Sequence, residues 1–136
     1  MWNAFYKKWE NVTRESLPPE FLLLIPPLER FAPPAEVFDK DRYSAFHDGR
    51  LHSFLLTKRV RTLVISGAET DVCVLSTVLD AVDHGYRVIV VEDAVCSSSD
   101  AGHDALMTMY RQRLSLQIEL APTQEILEDL RLATAG

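Results

Sequence analysis

The chain reads as an α/β protein, a three-layer α/β/α sandwich with a mostly parallel, Rossmann-like sheet. Two observations predict this. Residues 63–65 (LVI) and 87–92 (RVIVVE) are short, β-branched and continuous rather than alternating, the pattern of strands buried on both faces in a parallel sheet. The segments that follow each of them carry apolar residues at helical spacing, and strand–helix alternation places helices on the faces of such a sheet.

The first 34 residues are a helical lead-in. Trp2, Phe5, Tyr6, Trp9 and Val12 make an amphipathic stripe over residues 2–15, read as an aromatic face packed on a neighbour. Pro18 and Pro19 end it. A second short apolar segment over 20–30 is interrupted by Pro26 and Pro27, and Pro33-Pro34 closes the lead-in. The core, residues 35–120, opens with a candidate strand over 35–39 whose apolar residues are Val37 and Phe38, and which runs into Lys40. Leu51, Phe54 and Leu55 predict a helix over 47–58, with Asp48 near its start.

The stretch RTLVISGAETDVCVLSTVLDAVDHG, residues 61–85, organises the rest. Its strand is closed by Gly67. Leu75, Val78, Leu79 and Val82 then fall at helical spacing, and His84-Gly85 is a helix end with Gly85 free to take the left-handed C′ position. Cys73 is thereby expected in the first turn of a helix that begins just past the carboxyl end of a strand, with Thr70 or Asp71 as the cap. Open α/β sheets bind ligands at that edge. Free N–H groups at a helix start carry partial positive charge, which favours a thiolate and can hold an oxyanion. A free cysteine is equally at home as a small buried apolar residue, and placement by itself leaves both readings open.

After the strand over 87–92 comes the polar loop CSSSD. Cys96 and Ser97–Ser99 there suit turn and cap chemistry or the lining of a pocket. A helix over 100–113 follows, with Ala105, Leu106, Met109 and Tyr110 on its apolar face, then a last strand over 116–120. Thr123 can cap a terminal helix over 121–136 bearing Ile126, Leu127 and Leu130. At 136 residues the whole is read as a single domain.

Composition removes several functions. Hydrophobic residues make up 47% and charged residues 25%, ordinary for a globular domain. A net charge of −6 argues against nucleic acid as a partner. FLLLI at 21–25 is far too short to span a membrane, and MWNAFYKKWE lacks the order of a secretory leader. Two cysteines do not make a disulfide framework, so the expected compartment is the cytoplasm. His47, His52, His84 and His103 are scattered without metal-ligand spacing, and no phosphate-binding glycine loop occurs.

The wording of GAETDVCVLSTVLDAVDHGYRVIVVEDA resembles the signature of the cysteine hydrolases of the isochorismatase-like superfamily, which includes nicotinamidases, carbamoylsarcosine-type amidohydrolases and isochorismatases. The likeness continues through CSSSDAGHDALMTMYRQR and upstream through DKDRYSAF, covering roughly residues 33–120. It implies a catalytic triad of cysteine, lysine and aspartate. Cys73 is the implied nucleophile and Lys40 the implied lysine. A lone lysine ordinarily reads as solvated surface charge, but its place after a candidate strand and the tail Tyr43, Ser44, Ala45, Phe46 single it out. The resemblance also implies a cis peptide just before the nucleophile, here Ala68–Glu69, aiming backbone N–H groups at an oxyanion, with Ala68, Glu69 and Cys73 as the residues concerned. Thr70, Asp71, Tyr43 and Phe46 are the candidate pocket residues. Relatives that hydrolyse isochorismate lack this cysteine, so Cys73 points to C–N bonds of a small amide-type substrate.

One element of the pattern has no counterpart. In the family the general-base aspartate ends the first strand. Here no apolar strand ending in Asp precedes Lys40, as though the family's first strand and the one after it had been cut off. Asp39, Asp71 and Asp100 lie near the site edge, but none matches the motif position. The metal-binding residues of nicotinamidases belong to the same unmatched region, so no metal and no cofactor is expected. Three readings follow: a cysteine amidohydrolase, inactive where the base is absent; a non-catalytic relative serving as an interaction module; and a reactive-thiol protein. Without the family's first strand, the strand over 61–66 has an open apolar edge, and a homo-oligomer is expected.

Overall fold

The computed structural model describes residues 2–134. These form two compact units that divide between Val37 and Phe38.

In the first unit, α1 (Trp2–Lys8) is followed by 3-10 turns at Glu10–Val12 and Pro19–Leu22 and by α2 (Pro26–Glu29). The expected single helix over 2–15 stops at Lys8. Thr13 explains part of this: its hydroxyl bonds the Glu10 carbonyl and the Ser16 hydroxyl, offering the backbone a local alternative to the helix. The aromatic stripe packs on itself, with Trp2 and Phe5 edge-to-face at 5.7 Å and Trp2 and Tyr6 at 6.2 Å. No described residue of α1 is buried.

The second unit carries the sheet. Residues 35–39 are not a strand, contrary to expectation. A strand needs a ladder partner for its backbone groups; here the Asp39 carbonyl instead accepts from the Arg50 guanidinium at 2.6 Å, and the Phe38 ring lies 5.4 Å from that of Phe54. Both partners sit on α3 (Arg50–Thr57), a turn later to start than predicted. The Asp48 carboxylate takes the Arg50 N–H and guanidinium, and these bonds hold its carboxyl below the ordinary range.

Three parallel strands follow in spatial order β1 (Thr62–Ala68), β2 (Arg87–Cys96), β3 (Ile118–Ala121). Leu63 pairs with Val88 and Ile65 with Val90, after which the register shifts so that Gly67 pairs with Val95. Gly67, at φ +119°, has the backbone freedom this irregularity requires. Helix α4 (Leu75–Asp83) connects β1 to β2 and ends at Gly85, φ +82°, with the Tyr86 N–H returning to the Ala81 carbonyl. Helix α5 (Asp100–Gln112) connects β2 to β3, and α6 (Thr123–Thr134) closes the chain.

Both faces of β2 are covered, which is why its pattern is a continuous apolar run. Val88 and Val90 join Val78, Ala81, Met107, Tyr110 and Ile118 in one core. Ile89 and Val91, one residue out of phase, are buried on the opposite face. Val78, Val88 and Val90 are fully buried, each contributing about 1.5–3 kcal/mol relative to exposure. The edge strand β1 differs: Leu63 and Ile65 pack on the core, but Val64 on the other face is 49% exposed.

Candidate active site

The carboxyl end of β1 turns through a cis Ala68–Glu69 peptide bond into a single wide turn, Thr70–Val74, of π type. The Glu69 carbonyl accepts from both Val72 and Val74 N–H groups. Cys73 sits within this turn rather than in the first turn of α4, which begins two residues later. It is a free, half-buried thiol, whereas Cys96 at the end of β2 is free and exposed.

Neither expected cap forms, because the Thr70 side chain is claimed by α5 and that of Asp71 by the β2–α5 loop. Thr70 is completely buried and its hydroxyl meets His103 Nδ1 at 3.0 Å. The Asp71 carboxylate accepts from the Ser97 hydroxyl at 2.5 Å. Glu69 makes a third tie: its carboxylate takes the Ser98 N–H at 2.6 Å, the Ser98 hydroxyl at 2.8 Å and lies 2.9 Å from the Ser97 hydroxyl. The Ser98 backbone N–H, then its hydroxyl and that of Ser97, hold the Glu69 carboxyl below its ordinary range. Ser99 caps α5, accepting the Gly102 N–H at 3.1 Å. The serine loop is thus cap chemistry at Ser99 and a clamp on the cysteine turn at Ser97 and Ser98. The sequence shows three serines in a row but not which carboxylates they meet.

The Lys40 ammonium donates to the Arg42 carbonyl at 2.9 Å on the surface; among the described residues no hydrogen bond joins it to Cys73. Tyr43 is exposed, while Phe46 is buried in the core, 5.3 Å from the His84 ring and 5.9 Å from that of Tyr86. Asp39 offers its carbonyl to Arg50, and Asp100 lies in the first turn of α5. Sequence reasoning missed Thr77, whose hydroxyl accepts the Ala45 N–H at 3.1 Å and donates to the Cys73 carbonyl at 2.8 Å. Its spacing of four from Cys73 was a signal for the second bond; the first has none. Among the described residues no group of three or more His, Cys, Asp or Glu side chains could hold a metal, and no helix is long and apolar enough to cross a membrane.

A parallel sheet flanked by helices, with a cysteine on the turn leaving the carboxyl end of a strand, defines the class: an α/β domain with its thiol at the edge where such sheets bind ligands. The chain belongs to the isochorismatase family, whose isochorismatase domain is matched by residues 1–121. The isochorismatase-family protein PncA of Bacillus subtilis is 34% identical over 80 residues, 59% of this chain and 44% of that protein. A probable inactive nicotinamidase of Arabidopsis thaliana is 45% identical over 67 residues, 48% of this chain and 34% of the relative. The crystal structure of the nicotinamidase/pyrazinamidase PncA from Bacillus subtilis superposes with a TM-score of 0.62 at 29% identity, covering 69% of this chain and 52% of that one. The chain therefore spans about half the length of the relatives it matches.

Proposed function

We propose that this chain is a cysteine hydrolase acting on C–N bonds of a small amide-type molecule. The observation that carries the reading is the half-buried free thiol of Cys73 on the turn at the carboxyl end of β1, in a family whose named relatives include nicotinamidases. The Cys73 thiolate attacks the carbonyl, backbone N–H groups of the 69–73 turn stabilise the oxyanion, and Lys40 supplies positive charge. The C–N bond breaks as the amine nitrogen takes a proton from water, and the hydroxide so formed cleaves the thioester to return acid and thiolate. No cofactor enters this scheme. Free thiols suit a reducing compartment such as the cytoplasm.

Among the described residues no strand precedes Lys40, and we read the family's base aspartate as having no counterpart among them. A positioned base contributes about 10²–10⁴-fold, and amide turnover by this chain is accordingly slow. The same observation favours a second reading, a fold kept for binding, as does the similarity to a relative named a probable inactive nicotinamidase.

An activated ester separates the two, because its leaving group needs no protonation. With p-nitrophenyl acetate, the expected result is rapid acetylation of Cys73, seen by peptide mass, with Cys96 slower although it is the more exposed thiol. The Cys73→Ala variant should lose the burst of nitrophenolate, and small amides should release ammonia only slowly. Acetylation of both cysteines at the rate set by exposure would overturn the catalytic reading in favour of the binding one. Fast amide turnover dependent on Cys73 would overturn the claim that the base is absent.

A further inference from the structure

The segment that carries Lys40 is held at two points. Upstream, the Arg50 guanidinium grips the Asp39 carbonyl at 2.6 Å and the Phe38 ring lies on Phe54, which ties the segment to α3. Downstream, the Ala45 N–H donates to the Thr77 hydroxyl at 3.1 Å, and that hydroxyl spends its own proton on the Cys73 carbonyl at 2.8 Å. A threonine hydroxyl has one proton to give and lone pairs to receive with, so this one group bridges two segments: it accepts from Ala45 and spends its proton on Cys73. A threonine four residues after a carbonyl commonly bonds back to it within a helix. The bond from Ala45, 32 residues away in sequence, is what that local habit does not explain. The Lys40 ammonium folds onto the Arg42 carbonyl, so its place follows that of the segment.

The geometry points to Thr77 as a positioning residue: its hydroxyl couples the Lys40 segment to the backbone of Cys73 and so sets how the lysine serves the thiol. This deepens the proposed reading of Cys73 and Lys40 and rests on it. Thr77 acts through these two residues.

The test follows the alkylation rate of Cys73 with iodoacetamide at fixed pH, well below the melting temperature, with Cys96 in the same molecule as the internal control. Lys40→Ala tests the underlying reading and should slow Cys73. Thr77→Val keeps the shape and removes the hydroxyl; it should slow Cys73 by about tenfold, since a misplacement of about 1 Å costs up to 10²-fold at a reacting centre. Thr77→Ser restores the hydroxyl and should bring the rate back to within about twofold. If Thr77→Val folds poorly, Thr77→Ala serves the same purpose. The double variant of Lys40→Ala with Thr77→Val should be no slower than Lys40→Ala, because the threonine works through the lysine. A wild-type rate in Thr77→Val alongside a slowed Lys40→Ala would overturn the inference and leave the reading of Lys40 standing. So would a double variant in which the two losses multiply. An unaltered rate in Lys40→Ala would overturn that reading itself, and with it the role of Thr77.

Discussion

Asp71 Oδ2 occupies the space that the Cβ of any larger residue at position 102 would need. The two belong to different elements, Asp71 to the cysteine turn and Gly102 to the first turn of α5. Glycine at 102 is therefore a packing requirement of the turn, not a turn signal in its own helix.

The relation predicts a sign reversal. In an ordinary helix position Gly→Ala stabilises by up to about 1 kcal/mol. Here moving the Asp71 carboxylate aside would break its bond from Ser97, so Gly102→Ala should destabilise, overpacking costing about 1–3 kcal/mol. In an Asp71→Ala background the same substitution should become neutral or stabilising. Urea unfolding of the four proteins measures it, and a Gly102→Ala effect of the same sign in both backgrounds would refute the clash.

Tyr110 gives a prediction in pH. Its ring is fully buried in the core and its hydroxyl, among the described residues, has no hydrogen-bond partner. Burial pushes the phenol up from 10.0 to about 12. A buried hydroxyl without a partner is a cost, so Tyr110→Phe should be neutral or stabilising by about 1 kcal/mol. The native fold favours the neutral phenol, so this contribution is fully present below pH 10 and is lost as pH rises from 10 towards about 12. Melting temperatures of wild type and Tyr110→Phe should accordingly diverge further above pH 10. Parallel curves across that range would mean that the hydroxyl reaches water.

The edge of the sheet predicts assembly. β1 is the edge strand, no described strand pairs with its outer side, and Val64 is 49% exposed beside it. Parallel sheets are normally covered on both faces, and an apolar edge recruits another strand. Light scattering behind size exclusion at micromolar concentration should find a dimer or larger species, or poor solubility. Val64→Lys should shift the population towards monomer, since a lysine on an edge strand opposes pairing. A monodisperse, cooperatively melting wild-type monomer would exclude this assembly.

Local features of the sequence determined most of the α/β frame. The apolar run at 63–65, the 75–82 spacing and the pair His84-Gly85 act through neighbours a few residues away, so β1, α4 and its left-handed glycine stop are legible in order. The family motif likewise singles out Cys73 and Lys40 before any geometry is known. What only the tertiary structure decided are the pairings between polar residues far apart in the chain: Thr70 with His103, Glu69 with Ser98, Asp71 with Ser97 and Gly102, Thr77 with Ala45. Those contacts overrode local preference, taking Thr70 and Asp71 from their expected caps and drawing Cys73 into a wide turn ahead of α4. Residues 35–39 failed as a strand for the same reason, since the Asp39 carbonyl found Arg50 instead of a ladder. Serine, threonine and aspartate carry no periodicity that names a partner; a hydrogen bond across 30 residues exists only once the strands and helices have brought its two ends within reach.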